Sequence, residues 1–77
     1  MNWGTESVVV RAAERGGAMV ARARRRAGWD DDRIRREVTA EFARLIVVGD
    51  ADQYEAEVLV EAVRRGVEAA LGGAAPE

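Results

Sequence analysis

Residues 50–71 read DADQYEAEVLVEAVRRGVEAAL, and the fold turns on how this stretch is covered. At ~100° per residue, Tyr54, Val58, Leu59, Val60, Ala62, Val63, Val67 and Ala70 sweep an apolar arc of roughly 200°, about twice the width of an ordinary core-facing stripe. The spacing predicts a helix over 51–71 that one neighbour is too narrow to cover. It requires packing on two sides, and because so short a chain has few elements to supply that, a second copy or another protein is expected to cover it. Asp50 and Gln53 have the spacing of a capping box at its start. Gly72 and Gly73 stop it, which leaves 72–77 as a frayed tail. Glu61 with Arg65 and Arg64 with Glu68 are expected as i,i+4 pairs on the solvated side.

Upstream, a second helix is predicted over 31–48. Trp29 precedes the cap residue Asp30, and Ile34 stands four positions after that cap, the arrangement of a hydrophobic staple. Asp31 and Asp32 fall in the first turn, where the helix dipole favours carboxylates. Ile34, Val38, Phe42, Leu45 and Val48 form the core stripe. Residues 45–48 are four consecutive apolar residues, so one or two must face away from the chain's own core. Gly49 closes this helix.

The first helix is expected over 6–27, capped by Thr5. Val9, Ala12, Ala13, Gly16, Val20, Ala23 and Ala27 lie on one side, with Arg11, Arg15, Arg22, Arg25 and Arg26 opposite. Gly16 and Gly17 allow two outcomes. They permit a tight helix crossing, with Ala12, Gly16 and Val20 at four-residue spacing letting another backbone approach, or they kink or break the helix in two. Gly28 suits the left-handed position that ends it.

The expected fold class is therefore all-α: a small three-helix bundle with antiparallel neighbours, or a helical hairpin plus an N-terminal helix, completed in either case by oligomerisation. Seventy-seven residues form one domain over 1–77. A chain of this size buries only about 60% of its unfolded surface, and its core supplies ~3–5 kcal/mol. Without Cys or His there is no disulfide, thiolate site or imidazole metal site to reinforce it, and association is the remaining common remedy.

Charge is uneven along the chain. Residues 1–36 hold nine Arg and five acids, a balance of +4; residues 37–77 hold three Arg and nine acids, a balance of −6. Such a chain can pair head to tail or present one basic surface. All twelve basic residues are Arg, which with fifteen Ala is as much a sign of a GC-rich coding sequence as of chemistry. The opening MNWGTESVVV has neither the charged start nor the long apolar run of a leader, and no membrane span is expected, so the chain is read as cytoplasmic.

Candidate chemistry is sparse. Thr5, Ser7, Thr39 and Tyr54 are the only hydroxyls, with no His or Lys to activate them. Glu37 and Glu41 lie one turn apart, and Glu41 sits beside the apolar stripe, where an ion pair with an Arg at a helix edge accounts for it more simply than acid–base work. Asp30, Asp31 and Asp32 lack the alternating spacing of a calcium loop. Hence no catalytic, cofactor or metal residue is assigned.

The expected role is a non-catalytic assembly subunit, joining itself or another protein chain, including as an accessory subunit of an enzyme complex. Its interface is expected to use Leu45, Ile46, Val47, Val58, Leu59, Val63, Val67 and Leu71, with Arg64 and Arg65 at the rim. The rival reading is nucleic-acid contact through Arg11, Arg15, Arg22, Arg25 and Arg26, continued by Arg33, Arg35 and Arg36. Against it stand the net charge of −2 and the lack of Asn, Gln or aromatic residues on that helix. A membrane-surface role is disfavoured because the apolar side of the first helix is only Ala, Gly and Val.

Overall fold

The computed structural model describes residues 8–49 and 52–72, leaving aside the side chains of Val48, Gln53 and Tyr54. Three helices follow one another: α1 (Val8–Arg26), α2 (Asp31–Val48) and α3 (Gln53–Ala70). No strand occurs among the described residues. The expected all-α bundle is present, whereas the proposed caps at Thr5 and Asp50 and the tail beyond Gly72 lie outside the described residues.

The turns follow local chemistry. Gly28 has φ +101°, the left-handed conformation an L side chain resists, and the Trp29 amide reaches back to the Arg24 carbonyl at 3.1 Å. Asp30 then caps α2, its carboxylate accepting from the Arg33 amide at 2.8 Å. Trp29 packs against the core cluster that contains the fully buried Ile34, as the staple requires. The start of α3 differs from expectation. Asp52 is the cap and accepts from the Glu55 amide at 2.9 Å, so the helix opens at Gln53, two residues later than expected. Gly72, with φ +84°, closes the far end.

The core gathers Ala21 from α1, Ile34 and Val38 from α2, and Val63, Val67 and Leu71 from α3. Both α1 and α2 pack on α3, so the C-terminal half of the wide arc is covered within the chain. The closest pair is α1 with α3, and glycine makes it so. A Cβ on Gly66 would stand 1.9 Å from the Glu14 carbonyl oxygen, and one on Gly17 would stand 2.6 Å from that of Val63. Gly16, about 100° round the same helix, faces the Phe42 ring of α2, which a Cβ there would meet at 3.2 Å. The two adjacent glycines therefore seat two different neighbours, and α1 runs unbroken through both.

That crossing turns α1 by about one residue from the expected arc. Val10, Gly17 and Ala21 are buried, while Val9, Ala12, Ala23 and Ala27, assigned to the core by sequence, are exposed. Close backbone approach at Gly17 and Gly66 outweighs the little area that Ala methyls offer.

Candidate interaction surfaces

The residues expected at an interface divide into two groups. Val63 and Val67 are buried in the chain's own core, with Leu71 almost so, and they serve folding. Leu45 and Val47 are 67% and 70% exposed, with Ile46, Val58, Leu59 and Val60 half-buried. Leu45 is the informative one. It lies in phase with Ile34, Val38 and Phe42, inside an arc of ~80°, so it continues the core stripe of α2. Its expected burial fails because α2 leaves its neighbours before its last turn: Phe42 still packs on the core, and Leu45 has nothing beyond it. The Cα extents of 39 × 31 × 14 Å are too wide for three aligned rods of ~27 Å.

The exposed last turn of α2 lies where α2 ends and α3 begins. The start of α1 is not at this end: α1 runs antiparallel to α3, with Gly17 against Val63, Glu14 against Gly66 and Arg11 near Ala69. On α3 a groove of about 470 Å³ runs along Ala56, Glu57, Val60, Glu61 and Arg64. Val60 belongs to the apolar arc of α3 and is left half-open along that groove.

Ion pairs tie the other end. Arg35 Nε donates to Glu68 at 2.7 Å, and the same guanidinium is 3.4 Å from Asp32, joining α2 to α3. The hydrogen bond and charge of Glu68, with Asp31 and Asp32 adding to them, raise the Arg35 pKa above its ordinary value. Arg24 donates to both Glu41 oxygens at 3.3 and 3.4 Å, which accounts for Glu41 as a paired carboxylate. Its Nε is buried without a hydrogen-bond partner, and its guanidinium lies 5.1 Å from the Trp29 ring centre, with Arg33 at 3.7 Å.

The i,i+4 pairs expected on α3 do not form. Arg64 pairs with Glu61 one turn back, Arg65 faces Glu14 of α1 at 4.0 Å, and Glu68 is taken by Arg35. Neighbouring helices offer these side chains closer partners than their own helix does.

Of the candidate nucleic-acid residues, Arg25 is engaged with Asp31 at 3.4 Å. Arg11, Arg15, Arg22 and Arg26 are exposed and make no ion pair or hydrogen bond among the described residues. No helix among the described residues is long and apolar enough to cross a membrane, and no group of acids there is arranged to hold a metal ion.

Sequence reasoning missed Gly66 and Arg24. Gly66 had a legible signal, a glycine inside an apolar arc; Arg24 had only its position between two arginines of the solvated side. Comparison with known proteins adds no neighbour: no family model, curated protein or solved structure matches the chain.

Proposed function

We propose that this chain is a non-catalytic helical assembly subunit that associates through the open end of its bundle, with a second copy of itself first and otherwise as an accessory chain of a larger complex, an enzyme included. The observation that carries this reading is the exposure of Leu45, a core-phase residue with no neighbour, beside exposed Val47 and half-open Val60. Burying a Leu and a Val side chain contributes ~1.5–3 kcal/mol each, a large share of what so small a core supplies alone. The absence of any Cys or His in the sequence removes the other usual reinforcements and supports the same reading.

Light scattering across a dilution series tests it. Wild-type protein is expected as a dimer or larger species that dissociates on dilution. Leu45→Glu with Val47→Glu is expected to be a monomer of unchanged helix content, because both side chains point to solvent in the single chain. A wild-type chain that stays monomeric at high concentration defeats the self-association form of the proposal. An oligomer that survives the double substitution defeats the choice of surface.

A further inference from the structure

A second surface, separate from the open end, runs the length of α1. Arg11, Arg15, Arg22 and Arg26 fall at i, i+4, i+11 and i+15, which places them in a single line within ~60° of arc and over ~22 Å. Val8, Ala12, Met19 and Ala23, each three residues before one of these arginines, make a parallel apolar line with the same spacing. All eight are exposed, Met19 by 65%. Both lines repeat after eleven residues, a period close enough to whole helical turns to keep them straight along the helix. The one acid of α1, Glu14, faces Arg65 on α3, and no negative charge enters the double line.

We infer that this double line is the docking face for an acidic amphipathic helix of another protein, lying along α1 with its apolar ridge on Val8, Ala12, Met19 and Ala23 and its carboxylates opposite the four arginines. Charge complementarity selects the occupant: four aligned cations with no ion pair among the described residues favour carboxylates or phosphates. The apolar line selects between those two, because phosphate contact gains nothing from exposed Val and Met, whereas a helix ridge buries them. Ala12 and Ala23 let that ridge approach closely. A second copy of this chain is poorly equipped for the role. Of the four acids on α3, Glu61 and Glu68 already face Arg64 and Arg35, which leaves Glu55 and Glu57. The shallow groove lined by Arg11, Glu14, Arg15, Ala18, Gly66 and Ala69 borders the double line on its arginine side and can receive the partner's uncharged or basic edge side chains.

The probe is a synthetic peptide of about 20 residues, long enough to span the line as a helix, with Ala and Leu at i, i+4, i+11 and i+15 and Glu three residues after each. A scrambled peptide of the same composition and a random-sequence DNA duplex serve as competitors. The patterned peptide is expected to bind and gain helicity, the scrambled one to bind far more weakly. Met19→Ala is expected to weaken binding roughly tenfold without changing its salt dependence. Arg11→Glu with Arg15→Glu and Arg22→Glu is expected to abolish binding while leaving the melting curve and the self-association through Leu45 unchanged. Equal binding of the two peptides, or an unaltered affinity in Met19→Ala, overturns the inference. Tighter binding of the duplex, with a log–log salt slope near about −3.6 for four phosphates, overturns it in favour of nucleic acid. Loss of self-association in the triple variant overturns it in favour of a second copy.

Discussion

At the residue scale the fold depends on the side chain that Gly17 and Gly66 lack. An added Cβ at Gly66 meets backbone at 1.9 Å and cannot be accommodated without moving α1. At Gly16 it meets only the edge of the Phe42 ring at 3.2 Å, which a small ring rotation relieves. Ala raises helix propensity at both by about 1 kcal/mol, so the two substitutions separate packing from propensity. Chemical denaturation of Gly66→Ala is expected to show a net loss of about 1–3 kcal/mol, as overpacking gives. Gly16→Ala is expected to be neutral or stabilising by up to about 1 kcal/mol; equal gains at both sites would mean that the crossing is looser than described. Asp30 and Asp52 are the measurable caps, and Asp→Ala at either is expected to cost about 1 kcal/mol. Val63→Glu belongs to the same scale. It places a charge without a partner in the core, and the expected result is an unfolded chain at neutral pH, read by circular dichroism.

At the scale of elements, much was legible and the failures share one cause. The staple at Trp29 and Ile34, the left-handed Gly28 and the helix periods of α2 and α3 depend on residues close in sequence, and local chemistry decides them. The rotation of α1 does not. Its apolar residues are mostly Ala, Gly and Val, spread widely enough that several rotations bury nearly the same area, and contact with Gly66, far along the chain, selects one of them. The pairs on α3 fail similarly, because Arg65 and Glu68 find partners on α1 and α2. Trp29 is the joint between α1 and α2, with Arg24 and Arg33 over its ring. Trp29→Ala is expected to lower stability by about 2 kcal/mol, less than the ~3–5 of a fully buried aromatic, and thermal melting measures it. An unchanged melting temperature would assign the ring no packing role.

For the whole molecule, one end of the bundle is closed and the other is open. The N-terminal half of α2 and the C-terminal half of α3 share the core and the Arg35–Glu68 pair, while the end of α2 carries its stripe past the last neighbour. The candidate surface was half legible. Four successive apolar residues at 45–48 announced a surplus, and Leu45 and Val47 carry it. Val63, Val67 and Leu71 were misplaced because a wide arc on α3 does not reveal whether its second cover is intramolecular. Hydrogen–deuterium exchange at low and high protein concentration tests the open end directly. Amides of residues 42–48 are predicted to gain protection as concentration rises, while those of Ile34 and Val38 exchange at one slow rate throughout. Equal protection of 42–48 at every concentration would contradict the claim that this end is completed by association between copies.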